Sequence, residues 1–86
     1  MKKGNVVLAK AGKEKGQLFV LINLDDKYGY LSDGKRLKAS NPKKKSLKHF
    51  TLFCEETLDE QELLDQNERV NAKIRKFLSN IRREHV

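Results

Sequence analysis

Apolar residues in the first half of the chain fall into short clusters that turn-forming and charged residues separate. Clusters of this length, rich in Val, Leu, Ile and Phe, are typical of β-strands. The strongest signal is Leu18–Ile22, the longest unbroken apolar run in the chain. The pattern predicts strands over residues 5–10, 17–24, 28–32, 35–39 and 46–53.

Two turn signals set the expected connections between these strands. Asp33-Gly34 suits a tight turn with a positive φ angle, so we expect residues 28–32 and 35–39 to pair as a hairpin. Pro42 cannot donate a ladder hydrogen bond, so residues 40–45 are predicted as a loop. Short strands with tight turns predict a small antiparallel barrel, because closing the sheet hides its edges.

The hydrophobic period changes in the second half of the chain. Thr57 and Glu60 form a capping-box pattern, and the leucines that follow at roughly helical spacing predict a helix over residues 58–66. Asn71 is a second candidate cap, and an apolar stripe behind it predicts an amphipathic helix over residues 71–83. The stripe consists of Ile74, Phe77, Leu78 and Ile81.

These elements predict a fold that is mainly β with a helical tail. Residues 1–54 are expected to form the barrel domain, and residues 55–86 a C-terminal extension of one or two α-helices. A chain of 86 residues leaves little room for a buried catalytic cleft. Its one cysteine, Cys54, is interpreted as a small apolar side chain and not as a nucleophile.

Positive charge is concentrated in two blocks of the sequence. The formal net charge of the chain is +7. Residues 1–50 carry a net charge of +9 and residues 69–86 a net charge of +5, whereas residues 55–68 hold seven acids and no lysine or arginine. Solubility alone does not require such blocks, so the distribution favours a polyanionic partner, either nucleic acid or an anionic membrane.

The side chains that catalysis or metal binding would need are sparse in this sequence. His49 and His85 lie in different segments, with no cysteine or acid at metal-ligand spacing. The segment from Gly12 to Gln17 does not end in the Gly-Lys-Ser/Thr sequence that a nucleotide-binding loop requires. The acids of residues 55–68 are interpreted as a solvated helix face. We therefore expect no enzyme activity, no cofactor and no metal.

The sequence also predicts where the protein works. Its longest apolar run is too short to span a bilayer, and Lys2 and Lys3 precede no apolar segment of useful length. A single cysteine fits a reducing compartment. The expected location is the cytoplasm, and no contact with a membrane is expected.

A loop with two glycines separates the first two predicted strands. Gly12 and Gly16 let the backbone turn with positive φ or approach a partner closely, and Lys13 and Lys15 lie between them. The stretch VVLAKAGKEKGQLFVLI, residues 6–22, resembles the KOW motif of strand, glycine loop and apolar strand. KOW domains are small SH3-type barrels that occur in ribosomal proteins and in NusG-type transcription factors.

The resemblance extends over about residues 4–53. Its further marks, in order, are Asp33-Gly34, the lysines at 43–45 and the dipeptide Lys48-His49. This order is similar to that of short bacterial KOW proteins described as RNA-binding, and of large-subunit ribosomal proteins of the L-fourteen-e and L-twenty-seven-e types. The chain departs from the pattern at Tyr28–Tyr30, where a plainer aliphatic strand is usual, and at Gln17, where a basic residue is common.

The resemblance implies a five-stranded SH3-like barrel that binds RNA without catalysis. Ribosomal RNA is the expected partner, which implies a ribosome-associated role in translation, with ribosomal or other proteins as further contacts and a monomeric state. Cations around the glycine loop would contact phosphates. The expected RNA-binding residues are Lys10, Gly12, Lys13, Lys15, Gly16, Lys35, Arg36, Lys38, Lys43, Lys44, Lys45, Lys48 and His49.

Several alternatives stay open on the sequence alone. One alternative is a protein-interaction module that uses the barrel and the amphipathic helix, and another is a helix that lies on a membrane surface. The apolar stripe otherwise packs on the barrel or on the preceding helix. Tyr28 and Tyr30 either stack on unpaired bases or fill the barrel core or rim. His49 either contacts RNA or is a half-buried strand residue.

Overall fold

The computed structural model describes residues 1–85 as one five-stranded antiparallel sheet and one C-terminal α-helix. The strands are β1 (Asn5–Ala9), β2 (Leu18–Leu24), β3 (Tyr28–Ser32), β4 (Lys43–Ser46) and β5 (Phe50–Thr57), the helix is α1 (Glu68–Glu84), and single 3₁₀ turns cover Leu47–His49 and Glu60–Leu63. The predicted fold class, mainly β with a helical tail, is confirmed. The final residue of the predicted 55–86 extension lies outside the described residues.

The sheet is open, so the prediction of a closed barrel was wrong. Its strand order is β4-β3-β2-β1-β5, and β4 and β5 are its two edges. Closure would hide the apolar side chains of the central strands. In this structure α1 forms a second layer that covers one face of those strands. The curled sheet and the segments that connect its strands cover the other face.

The central strands are buried on both faces. Val6 and Val20 belong to a helix-side cluster, whereas Val7, Phe19 and Leu21 pack on the opposite face. This arrangement explains the unbroken apolar run in β2, because both sets of alternating side chains leave water. The helix-side cluster comprises Val6, Leu18, Val20, Ile22, Ala39, Leu63, Val70, Ile74, Leu78 and Ile81, and the opposite cluster comprises Val7, Ala9, Phe19, Leu21, Leu31 and Phe50.

The segment after β3 is a loop, not the predicted return strand over residues 35–39. The Asp33 carboxylate accepts hydrogen bonds from the backbone amides of Lys35 and Leu37, at 2.9 and 3.0 Å. These bonds keep the chain compact after the turn and prevent it from running back along β3. Gly34 has φ +75°, as the Asp-Gly pair predicted.

The lysine-rich segment forms the edge strand β4, although it was predicted as a loop. Lys45 pairs with Gly29 of β3, and Ser46 pairs with Tyr28. Pro42 directly precedes the strand, where it interrupts no ladder. The strand predicted over residues 46–53 is shifted, because a 3₁₀ turn intervenes and β5 runs from Phe50 to Thr57.

The predicted helix over residues 58–66 is only a 3₁₀ turn. Asp59 caps this turn, where its carboxylate accepts a hydrogen bond from Gln61 N at 2.9 Å. The long helix begins earlier than predicted, because Asn67 and not Asn71 is its cap. Asn71 is buried inside α1, and its Oδ1 accepts a hydrogen bond from the backbone amide of Ala39 at 2.8 Å.

Helix α1 packs on the sheet through the predicted apolar stripe. Ile74, Leu78 and Ile81 are buried, and Phe77 is half-buried. The loop after β3 also contacts the helix, since the Arg75 guanidinium donates to the carbonyl oxygen of Gly34 at 2.6 Å. Within residues 1–85, no helix is both long and apolar enough to cross a membrane.

Candidate nucleic-acid interface

Two basic loops leave the sheet at the same end. The glycine loop, residues 10–17, joins β1 to β2, and the 33–42 loop joins β3 to β4. Because these strands pair antiparallel in sequence order, both loops lie at the end that carries Ala9, Leu18 and Lys43. The topology therefore brings together basic segments that are separated along the chain, and we call this region the basic end.

The glycine loop needs its two glycines for its backbone geometry. Gly12 has φ +79° and Gly16 has φ +86°, a region that residues with a Cβ rarely occupy. The loop closes through a hydrogen bond from Gly16 N to the carbonyl oxygen of Ala9, at 2.9 Å. Lys13 and Lys15 are both exposed, so the loop presents two cations on a tight turn.

Lys45 anchors the glycine loop to the sheet. Its side chain is only 8% exposed, and its Nζ donates to the carbonyl oxygen of Ala11 at 2.8 Å and to Glu14 Oε1 at 3.1 Å. The hydrogen bond from Lys45 holds the pKa of Glu14 below its usual range, and the charges of Lys43 and Lys45 act in the same direction. The Lys45 ammonium is thus engaged inside the protein.

Several other predicted cations are exposed at the basic end. Lys10 is exposed, and its backbone amide donates to the carbonyl oxygen of His49 at 2.7 Å, which brings the exposed His49 beside the loop. Lys35 and Arg36 are exposed in the 33–42 loop, and Arg36 lines a small cleft with Glu14. The cations of this end are Lys10, Lys13, Lys15, Lys35, Arg36 and Lys43.

Three predicted cations are placed away from this set. Lys44 points to the other face of β4, where its Nζ lies 4.2 Å above the ring of Tyr28. Lys48 lines an open cavity with Asp26 and Tyr28 beside the β2–β3 turn, although the next residue, His49, contacts Lys10 of the glycine loop. Lys38 Nζ lies 3.9 Å from Glu68 at the start of α1.

The two tyrosines lie on β3, outside both apolar clusters. Tyr28 is 36% exposed and carries Lys44 on its ring, and Tyr30 is half-buried. Together, Tyr28 and Lys44 form an aromatic and cationic surface that is separate from the basic end.

The C-terminal end of α1 supplies a cation that sequence reasoning missed. Arg82 lines an open cavity of about 410 Å³ together with Gly16, Gln17 and Phe53. It therefore flanks the glycine loop, although it lies sixty-six positions from Gly16 in the chain. The available signal was the apolar stripe, because a helix lying on the sheet carries its flanking cations to the sheet surface.

A second set of polar side chains meets between β5 and the end of α1. The ligand atoms of Cys54, Glu56 and His85 all lie within 4.8 Å of one another, and Glu56 Oε2 is 3.5 Å from His85 Nε2. Burial, with the nearby Glu56 charge, raises the pKa of the Cys54 thiol. Sequence spacing gave no sign of this cluster, because His85 is distant from the other two residues along the chain.

Comparison with known proteins adds no family assignment. The chain matches no protein-family model, and no curated protein matches it. The KOW resemblance consequently depends on the motif residues quoted above.

Proposed function

We propose that the protein is a non-catalytic RNA-binding protein that binds structured RNA through the basic end. The observation that carries the proposal is the anchored glycine loop. Lys45 and Glu14 hold the loop against β4, so the exposed Lys13 and Lys15 project from a fixed backbone beside Arg36. Cations held on a rigid loop bind with a smaller entropy loss than cations on a mobile one.

Phosphate contact supplies the affinity in this mechanism. Exposed lysines and arginines that neutralise phosphates release condensed counterions, which favours binding at low salt. The small glycines let the loop backbone approach a sugar-phosphate chain, and Gly16 has no atom within 4 Å of the position that a Cβ would take. Contacts of this kind read backbone shape more than sequence.

Structured RNA is the preferred ligand class. Shape and phosphate recognition suits folded RNA, whereas sequence reading in DNA commonly uses an element in the major groove. The cations of the basic end lie in loops and at the start of β4, and none of them lies on α1. The KOW resemblance favours ribosomal RNA, and with it a cytoplasmic role connected with translation.

The test is to measure the affinity of the purified full chain for a structured ribosomal RNA fragment at several salt concentrations. Replacing Lys13, Lys15 and Arg36 by Ala should weaken binding at least about tenfold and lower the salt slope by roughly two to three. The matched control replaces Lys2, Lys27 and Lys76, which are exposed elsewhere, and so removes the same charge. Equal losses in both variants would refute a localised interface.

The protein-interaction alternative receives less support from the structure. This alternative uses the sheet and the amphipathic helix, and the part assigned to the helix needs a free apolar stripe, but Ile74, Leu78 and Ile81 are buried against the sheet. If a pull-down captures one protein, and that complex persists after nuclease treatment and at high salt, the result would favour this alternative over RNA binding.

A further inference from the structure

We propose that Cys54, Glu56 and His85 form a binding site for Zn²⁺ that joins β5 to the C-terminal end of α1. This site adjoins the proposed RNA-binding surface, because His85 lines the same cavity as Gly16 and Arg82. None of its three side chains belongs to the cations of the basic end, so the proposal does not depend on RNA binding.

The strand and the helix bring the three side chains together. Cys54 and Glu56 lie on β5 in the stretch between Leu52 and Thr57, where the pairing with β1 is irregular, and the strand brings both side chains to the end of α1. His85 follows the last turn of α1, where its backbone amide donates to the carbonyl oxygen of Ile81 at 3.2 Å. Its ring packs edge-on against Phe53, with 5.2 Å between ring centroids, which orients the imidazole.

The distances between the donor atoms suit a tetrahedral ion. Zinc bonds of about 2.0–2.3 Å imply separations of about 3.3–3.7 Å between ligand atoms in a tetrahedral site. Glu56 Oε2 and His85 Nε2 are already 3.5 Å apart. The largest separation among the three donor atoms is at most 4.8 Å, so a shift of about 1 Å or slightly more, within the range of side-chain rotation, completes the geometry.

The donor set selects the kind of metal. A thiolate, an imidazole and a carboxylate are ligands that Zn²⁺ accepts together, whereas Ca²⁺ and Mg²⁺ require oxygen ligands almost exclusively. A water would complete the coordination.

Metal binding is accompanied by the loss of one proton from the site. The Cys54 thiol gives up its proton to solvent, and the resulting thiolate and the neutral imidazole donate electron pairs to the ion with no redox change. Because the ligands come from β5 and from the end of α1, the bound ion would tie the helix to an edge strand. Folding and metal binding would then be linked.

The test uses Co²⁺ as a spectroscopic probe on the full chain without a histidine tag, after treatment with a chelator and a reductant. We expect a thiolate-to-metal charge-transfer band in the near ultraviolet, visible bands of tetrahedral intensity, and displacement of Co²⁺ by Zn²⁺ at one ion per monomeric chain. Saturating Zn²⁺ should raise the Tm by about 10 °C.

Variants decide whether the three named side chains hold the ion. Cys54→Ser should abolish the charge-transfer band. His85→Gln should weaken Co²⁺ binding by more than the roughly 10–100-fold loss usual for outer-shell partners. Glu55→Gln is the matched control, because Glu55 is an exposed carboxylate between the two strand ligands that does not belong to the cluster, and it should bind as the parent does.

Three results would overturn the proposal. The first is the absence of a charge-transfer band in the parent chain. The second is a band that persists at full affinity in the His85→Gln variant. The third is a stoichiometry of one ion to two chains, which would mean that the ligands come from different molecules. Circular dichroism of each variant distinguishes loss of a ligand from loss of the fold.

Discussion

The two apolar clusters of this protein are built in different ways. The opposite cluster, around Phe19 and Phe50, is enclosed by the curled sheet and the segments that join its strands. The helix-side cluster includes Val6 and Val20 of the sheet, but Ile74, Leu78 and Ile81 of α1 cover them. One half of the core therefore comes from the first half of the chain alone, and the other half needs the tail.

This difference shows that the helical tail is part of the domain. Without α1, the central strands would expose one complete apolar face, and small sheets with an exposed apolar face are rarely stable. The loop after β3 depends on the helix as well, because the buried amide of Ala39 has Asn71 as its hydrogen-bond acceptor. The basic end is thus positioned partly by residues of the tail.

The largest expected effect comes from removing α1. A chain that ends at residue 66 should lose cooperative thermal unfolding, because Val6, Val20 and Ile22 would face water. Circular dichroism during heating and the dispersion of amide signals in NMR spectra would measure this loss. A chain that ends at residue 83 keeps the buried stripe and should unfold cooperatively. If the shorter chain also unfolds with a sharp transition, the sheet does not depend on the helix.

Single truncations on the two faces should have similar, large costs. Leu78→Ala on the helix side should lower the free energy of unfolding by about 3 kcal/mol, and Phe19→Ala on the opposite side by about 4 kcal/mol. Urea denaturation would measure both values. Leu64→Ala is the control, because Leu64 is 76% exposed and should change the stability by less than about 0.5 kcal/mol. Two separate transitions in either variant would contradict a single cooperative domain.

The link between the helix and the 33–42 loop should contribute a smaller amount. Asn71→Ala removes the acceptor of the buried Ala39 amide and should cost about 1–3 kcal/mol. Hydrogen exchange of that amide should accelerate more than exchange of the β1 amides. Asn67→Ala, which removes the N-cap of the same helix, should cost about 1 kcal/mol without that local acceleration.

The smallest expected effect is the acid sensitivity of the loop anchor. The hydrogen bond from Lys45 lowers the pKa of Glu14 in the folded protein. A lowered folded pKa stabilises the protein above the pKa of the unfolded chain, and this contribution is lost as the pH falls through the folded pKa. The gap in stability between the parent and Glu14→Gln should be less than about 1 kcal/mol at neutral pH and should vanish in strong acid.

Chemical denaturation at both pH values would measure this gap. The other carboxyl groups titrate equally in the two proteins, so the difference isolates Glu14. A gap that does not depend on pH would mean that the ion pair with Lys45 contributes nothing to stability.

Local sequence patterns predicted the elements whose structure depends on residues that are close together in the chain. The Leu18–Ile22 run, the glycines of the loop and the stripe of α1 each act through spacing within one element, and each was placed correctly. The turn at Asp33-Gly34 was also recognised, but the chain after it does not form a strand. The Asp33 carboxylate accepts hydrogen bonds from the backbone amides of Lys35 and Leu37, and these bonds compete with strand pairing. A hydrophobic pattern does not reveal this competition.

Tertiary contacts determined the parts that the sequence did not predict. Three lysines in a row are typical of a solvated loop, yet the Lys45 ammonium donates to acceptors on the half-buried Ala11 and Glu14, and the segment pairs as β4. The same applies to Arg82 beside the glycine loop and to the meeting of Cys54 with His85. The positions of Arg82 and His85 depend on how α1 lies across the sheet, which no short-range spacing encodes.

The open sheet has a consequence for how copies of this chain behave at high concentration. Its β4 margin carries unpaired backbone groups that would otherwise template the addition of another strand. Lys43 and Lys44 make that margin strongly cationic, so two copies that approach through it repel each other. The charge on Lys43 and Lys44 thereby disfavours edge-to-edge pairing of two β4 strands.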